Sequence, residues 1–399
     1  MNQPKKIFVI ACEISADSHG GKLIRNFKKI HPELEFRGVG GPKMKEAGMT
    51  VLSDMTQFSA LGLGDVVRQY FKYRSVFYRA LNDLEKWRPD ALILIDSPAF
   101  NLRFAKKVKK KFPRLEILYY IAPQIWAWGY RRIHTVKKTV SKMFSIFPFE
   151  VPFYESAGIS CSYVGHPSLE ELSPVLDRNT ERNRLGVQNK ESAIGLLPGS
   201  RQNEIERILP IMLETAVLLT ESLANLRFFI ARSPNVSENV YRGILSGFKI
   251  PITFFQGNLY KNLRAMDFAL VTSGTATLQT ALVETPFFLL YKTGWSTYWL
   301  ARHLVRVPYL GIVNLLAQKS IVPEFIQHRA RARDIAQEAK ELLTSQSRYA
   351  AMKKELQKVR ELLEKEAKTS DAADAMWRYL TRQEAAMETP VLQPLHGVS

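Results

Sequence analysis

Ala91–Asp96 reads A-L-I-L-I-D, five apolar residues in succession closed by a carboxylate. An alternating strand can keep one face in water, whereas an unbroken apolar one needs cover on both faces. In the first half of the chain Lys6–Ala11, Leu34–Val39, Leu115–Ile121, Met143–Phe147 and Cys161–Val164 also read as strands, with helical patterns at Asp17–Lys29 and Leu102–Lys111. The second half repeats the alternation, with strands at Ser192–Leu197, Leu226–Ala231, Ile252–Gln256, Asp267–Val271 and Pro286–Tyr291 and a helix at Asn203–Glu221. The predicted class is α/β, with parallel sheets covered by helices on both faces. A chain of 399 residues exceeds one ordinary core. Two Rossmann-like doubly wound lobes are expected, at 1–166 and 191–345, with a polar linker at 167–190 and ligands in a cleft between the lobes. Charged helices are expected at 346–382, and a disordered tail at 383–399.

Cys12 and Cys161 stand in unrelated contexts, which argues against a disulfide framework and a structural zinc site. The N-terminus runs directly into a five-residue apolar strand core, too short for a signal peptide, and no apolar stretch approaches the ~20 residues of a membrane span. A cytoplasmic protein is expected. Its net charge of +18 asks for an acidic partner. Stacking-aromatic motifs and recognition helices of nucleic-acid binders are not found, so an anionic membrane surface fits better, with Lys106-Lys107-Val-Lys109-Lys110-Lys111 the densest basic run.

Several positions carry chemistry, each with a plainer alternative. Val271–Leu278, V-T-S-G-T-A-T-L, joins a buried strand to a helix start, so Ser273, Gly274 and Thr275 either bring backbone N–H groups to a diphosphate or only cap the helix. Gly199, Ser200 and Arg201 follow the strand Ser192–Leu197, and Arg201 suits bidentate phosphate binding or a pair with Glu204. Asp96 ends its strand where a general base is needed, or caps the next helix. Glu13, Ser15 and Asp17 sit at the rim after the first strand, the last two equally suited to capping. Gln124 and Trp126, in Ala122-Pro-Gln-Ile-Trp-Ala-Trp128, either meet a sugar or pack into the core. Val66, Val67, Tyr70, Phe71 and Phe77 lie among basic residues on one helical stretch, for a membrane interface or for burial against the lobe.

The order of motifs resembles the lipid-A-disaccharide synthases, inverting glycosyltransferases of GT-B architecture, over residues 6–330. It includes Glu13-Ile-Ser15-Ala-Asp17, Gly38-Val-Gly40-Gly41-Pro42, the Leu61-Gly62-Leu region, Ile95-Asp96-Ser-Pro98-Ala-Phe100-Asn101 and Pro123-Gln-Ile-Trp126-Ala-Trp128. It continues through Phe147-Pro-Phe-Glu150, Gly165-His166-Pro167, Leu197-Pro-Gly-Ser-Arg201, Ser273-Gly-Thr-Ala-Thr-Leu278 and Asn314-Leu-Leu-Ala317. The resemblance implies condensation of UDP-2,3-diacylglucosamine with 2,3-diacylglucosamine 1-phosphate, giving the β-1,6-linked lipid A disaccharide 1-phosphate and UDP. Asp96 would be the base. Arg201 and the Ser273–Thr275 N–H groups would hold the leaving diphosphate, with no metal and no cofactor, the UDP-sugar being a substrate. Gln279 would face the donor, while Asn101 and Asn314 would join the acceptor side or the cleft. The enzyme would attach peripherally to the inner face of the cytoplasmic membrane, and its long C-terminal helices leave room for a homodimer contact.

The chain departs from the family pattern in places. Cys12 and Ala16 replace glycines of Gly-Glu-Ala-Ser-Gly-Asp, Ala99 stands for an aspartate, Gln279 for a glutamate that binds ribose, and Gln318-Lys-Ser320 for Gly-Arg-Glu. A related transferase or nucleotide-sugar epimerase with another sugar, and a non-catalytic membrane- or nucleic-acid-binding relative, are the competing readings. The first would accept unacylated UDP-sugars, and the second would be indifferent to loss of Asp96.

Overall fold

The structure, a computed structural model, describes residues 5–55, 65–172, 177–255, 257–294, 307–367 and 371–381, with only the backbone at 65–70 and 366–367. The Leu61-Gly62 motif and the expected tail at 383–399 lie outside the described residues. The chain divides into two units, one formed by 1–167 with 365–399, the other by 168–364.

Seven parallel strands form the first sheet: β1 (Lys6–Ala11), β2 (Glu35–Gly40), β3 (Thr50–Asp54), β4 (Ala91–Ile95), β5 (Glu116–Tyr120), β6 (Lys142–Ser145) and β7 (Cys161–Tyr163). Their order is β3-β2-β1-β4-β5-β6-β7. The second sheet has six: β8 (Ser192–Leu197), β9 (Leu226–Ala231), β10 (Ile252–Phe255), β11 (Phe268–Thr272), β12 (Phe287–Tyr291) and β13 (Glu324–Ile326), in the order β10-β9-β8-β11-β12-β13. Both are doubly wound, and each reverses direction beside its first strand, between β1 and β4 and between β8 and β11. At such a switch point the crossover helices part to opposite faces and leave a crevice at the carboxyl ends of the strands.

Every residue of β4 is fully buried, as its unbroken apolar pattern requires. At ~25 cal/mol per Å², each of its Leu and Ile side chains contributes roughly 1.5–3 kcal/mol. Sequence patterning misses β3 and β13. Both are edge strands, half-covered along most of their length, and lack a continuous apolar run. Gly38 sits at φ +151 beside a register shift between β2 and β3, where a Cβ would fall 1.9 Å from the Val9 carbonyl oxygen. No other residue fits there.

The segment expected as a linker is built into the second unit. Its helix Arg178–Arg184 is capped by Asp177, which accepts from the Thr180 N–H at 2.7 Å. Buried Arg182 donates to Asp267 Oδ2 at 2.8 Å and to the carbonyls of Ala265, Gln188 and Glu191. Asp267 also accepts from Arg178 and from the Ala193 N–H, tying the segment to the start of both central strands. The C-terminal helices separate as well. Leu356, Val359 and Leu363 of the helix Gln346–Ala367 are buried and its Tyr349 hydroxyl donates to the Asp267 carbonyl, within the second unit. The helix Ala372–Leu380 returns to the first unit, where Trp377 stacks on His31 at 3.7 Å.

Arg182→Ala is expected to remove about 2–3 kcal/mol from the second unit's unfolding transition in urea, by leaving Asp267 and three carbonyls short of a donor. A loss below about 0.5 kcal/mol would show that the segment is only a tether.

Candidate functional site

The first switch point is built from the residues that follow β1 and β4, which pair as far as Ala11 and Ile95. Asp96 leaves β4 at φ 48 and Ser97 follows at φ 44, two successive left-handed residues, neither of them glycine. Four hydrogen bonds hold this turn. The Asp96 carbonyl accepts from the Tyr119 hydroxyl at 2.5 Å and from Asn101 Nδ2 at 2.7 Å. Asn101 Nδ2 also donates to the Ile95 carbonyl, and the Asp96 N–H donates to Tyr120. Asn101 is completely buried, so it clamps the turn and does not face a ligand, contrary to its expected place on the acceptor side.

Asp96 does not cap the next helix. Ser97 is the capping position, without a side-chain cap bond. The carboxyl group borders a cavity of about 260 Å³ whose other walls are Pro98, Ile121, Ala122, Gln124, Ile125, Trp128, Arg132, Ile146 and Phe147. Ile121 also lies at positive φ, 62°, so strained backbone gathers at this rim. Burial, and then the like charge of Glu13, push the Asp96 carboxyl up to about 6 against a Ser97 N–H that favours the anion. Glu13 is exposed and accepts from Ser97 Oγ at 3.3 Å, and Ser15 is exposed beside it.

Other expected site residues are scaffold. Asp17 is buried, with its carboxylate taken by the N–H groups of Gly41, Lys43 and Met44, so it caps the helix Pro42–Glu46. Trp126 is buried against Phe149 and donates to Glu150 Oε1 at 2.9 Å, whereas Gln124 is exposed and lines the cavity. Trp128, two residues on, lines it too, with the Arg132 guanidinium 4.6 Å over its ring. Cys12 and Ala16 both avoid positive φ, so the backbone accepts a Cβ where the family has glycine. Phe77 packs on Phe100 and Phe104 and belongs to the core, while Phe71 is 62% exposed. The side chains of Val66, Val67 and Tyr70 lie outside the described residues.

Glu150 is a buried acid that sequence reasoning did not single out as chemistry. Its Oε1 accepts from Trp126, and its Oε2 lies against Ser145 Oγ. Ser145 Oγ also accepts from the Phe147 N–H at 3.0 Å and donates to the Phe147 carbonyl at 2.8 Å. A hydroxyl has one proton, which Ser145 shares between the Phe147 carbonyl and Glu150 Oε2. Burial lifts the Glu150 carboxyl to about 7, against the hydrogen bonds of Ser145 and Trp126, which favour the anion. This network fixes Phe147, and with it one wall of the cavity.

The second switch point joins the turns after β8 and β11, paired at Leu197 and Val271, so both predicted phosphate elements lie at one sheet edge. Gly199 turns at φ +114, where a Cβ would fall 2.6 Å from Glu204 Oε2. Glu204 accepts from the N–H groups of Ser200 and Arg201 and, at 3.4 Å, from Arg201 Nη1. Arg201 is thus a capping residue whose side chain is 80% exposed and only loosely paired. The Ser273 N–H is occupied by the Leu290 carbonyl and is no longer free for phosphate. The helix Thr275–Leu282 opens at Gly274, φ +156, without a side-chain cap. Among the described residues no hydrogen bond takes the N–H groups of Gly274, Thr275 or Ala276. Gln279 lies on that helix beside the buried Tyr260 hydroxyl. Asn314 is buried with all its capacity used. It donates to Val322 and Glu324 and accepts from the N–H groups of Ile321 and Val322, so it fixes the loop and faces no ligand. In that loop Gln318 takes the left-handed conformation, φ 53, that glycine adopts without strain.

Residues 7–376 match the family model described as lipid-A-disaccharide synthetase. Lipid-A-disaccharide synthase 1 of Legionella pneumophila (strain Lens) is 39% identical over 363 residues, which cover 91% of this chain and 94% of that one. The lipid-A-disaccharide synthase of Trichlorobacter lovleyi is 38% identical over 363 residues, again covering 91% and 94%. Among solved structures, the calicheamicin glycosyltransferase CalG4 matches with a TM-score of 0.59 at 11% identity, over 96% of this chain and 100% of that one, a likeness of fold.

Glu150→Gln is expected to keep the cavity wall, with its amide donating to Ser145 and accepting from Trp126, at a cost of about 1 kcal/mol for the extra buried N–H. Because burial raises the acid's pKa, its stabilisation is complete below the ordinary value of 4.5 and is lost as pH rises through about 7. Thermal melts at pH 5 and pH 8 check this. The wild type should lead the glutamine variant at the lower pH and lose that lead at the higher one.

Proposed function

The chain belongs to the lipid-A-disaccharide synthase family, and we propose that it carries out an inverting glycosyl transfer. The substrates are UDP-2,3-diacylglucosamine as donor and 2,3-diacylglucosamine 1-phosphate as acceptor. Asp96 takes the proton of the acceptor 6-hydroxyl as that oxygen bonds to the anomeric carbon of the donor. The bond from that carbon to the diphosphate breaks on the opposite face, releasing UDP and leaving a β-1,6 linkage. The carrying observation is the Asp96 carboxyl, held on a strained turn at the rim of a cavity and raised to about 6. A base with that pKa is largely ionised at neutral pH and still binds a proton strongly enough to assist attack.

The leaving diphosphate gathers negative charge, which needs preorganised donors. The open N–H groups of Gly274, Thr275 and Ala276 and the loosely paired Arg201 support that role. Gln279 retains one acceptor oxygen for a donor hydroxyl.

The acylated substrates place the enzyme at a membrane surface. Residues 71–75 of the helix Asp65–Trp87 are all exposed and combine Phe71 and Tyr73 with Lys72 and Arg74. No helix among the described residues is long and apolar enough to cross a membrane. Peripheral attachment through basic and aromatic side chains fits both observations.

Purified protein with both acylated substrates and EDTA is expected to give disaccharide. Asp96→Asn should lower kcat by about 10²–10⁴-fold. In the wild type kcat/KM should rise with pH through about 6 and then level, because the base must be ionised. Glu13→Gln removes a like charge and should move that limb to lower pH. A folded wild type that makes no disaccharide, or an active Asp96→Asn, would overturn the mechanism. Flotation with anionic vesicles should recover the protein at low salt and release much of it at ~1 M salt, where screening is strong. Equal recovery on neutral vesicles would remove the electrostatic part.

A further inference from the structure

The cavity that holds Asp96 has a second charged wall. Among the described residues Arg132 is the only cationic side chain lining it, and most of the remaining lining, including Ile121, Ile125, Ile146 and Phe147, is apolar. Arg132 ends the single turn Tyr130–Arg132, which starts from Gly129 at φ 77 and is closed by the Arg132 N–H donating to the Gly129 carbonyl at 2.9 Å. Ile133 is buried immediately after it and anchors that turn. The guanidinium lies over the Trp128 ring, which holds its plane while leaving the N–H edge available. No carboxylate among the described residues pairs with it, Asp96 included, although the two line one cavity.

A hydroxyl that reaches Asp96 belongs to a molecule whose remaining bulk lies along this cavity. A cation on a fixed ring, without a carboxylate partner and with apolar surroundings, fits an oxyanion with several acceptor oxygens. Such a fork binds a phosphate monoester bidentately. Building on the transfer reading above, we infer that Arg132, seated on Trp128, receives the 1-phosphate of the acceptor sugar and makes the enzyme prefer phosphorylated acceptors.

The test removes the phosphate from the ligand and the guanidinium from the protein in turn. Wild type, Arg132→Gln and Arg132→Lys are assayed with 2,3-diacylglucosamine 1-phosphate and with unphosphorylated 2,3-diacylglucosamine, while the KM of the UDP-sugar is followed separately. Arg131→Ala, at an exposed neighbour outside the cavity, is the control. The wild type should favour the phosphorylated acceptor by about 10- to 100-fold in kcat/KM, the range of a charge-assisted bond. Arg132→Gln should reduce that preference to within about 3-fold and leave the donor KM unchanged, as expected when only the acceptor contact is lost. Arg132→Lys keeps the charge without the fork and should fall between, which also covers a glutamine variant that folds poorly. A preference that survives in Arg132→Gln, or is absent from the wild type, overturns the assignment. A raised donor KM in its place would assign Arg132 to the diphosphate and overturns it equally. A wild type that makes no disaccharide from either acceptor counts against the transfer reading itself.

Discussion

The turn that ends β4 holds the candidate active site together. Two left-handed residues in succession cost roughly 1–2 kcal/mol each. The four hydrogen bonds from and to Tyr119, Asn101 and Tyr120 return about 1 kcal/mol apiece. The two sums nearly cancel, so the turn survives only while Tyr119 and Asn101 stay buried and aligned. Both lie on elements that pack into the hydrophobic core of the first unit, so core packing is converted directly into the position of the Asp96 carboxyl. The clamp acts on the carbonyl, and the carboxylate takes the Ser97 N–H.

Burial around that turn raises an electrostatic problem, because Asp96, Glu13 and Glu150 gather within one end of the sheet. Three carboxylates would oppose one another's ionisation. The structure relieves this unequally. Glu13 is exposed, burial raises the Glu150 carboxyl to about 7, and Asp96 is left with an intermediate affinity for its proton.

Much of this was legible in the chain and some was not, for physical reasons. Continuous apolar strands such as β4 and β11 announce themselves, whereas β3 and β13 are half-covered edges and carry no such pattern. The place of Asp96 at the cavity rim could be read because the residue ending a buried parallel strand sits at the sheet's carboxyl edge. Asp17, Asn101 and Asn314 look the same in sequence. The partners of Asp17 lie 24 to 27 residues away. Those of Asn101 and Asn314 lie within about ten, in turns whose shape only the folded chain defines. Trp126 and Trp128 lie two residues apart in a turn, one turned inward to Glu150 and the other set against Arg132, and in irregular backbone that spacing does not decide which of them faces the core.

The two units share one topology and use it in opposite ways. After β4 the chain bends at a carboxylate, and after β11 at Gly274, whose φ of +156 leaves the following N–H groups open. The exchange is not neutral. A carboxylate after β11 would repel a diphosphate, and an open glycine turn after β4 would offer no base. Gln279 extends the same logic, since an amide on the helix above that turn adds no negative charge where a glutamate would. Its neighbour Tyr260 carries a buried hydroxyl without a good partner, which an amide can serve as donor or as acceptor and a carboxylate only as acceptor.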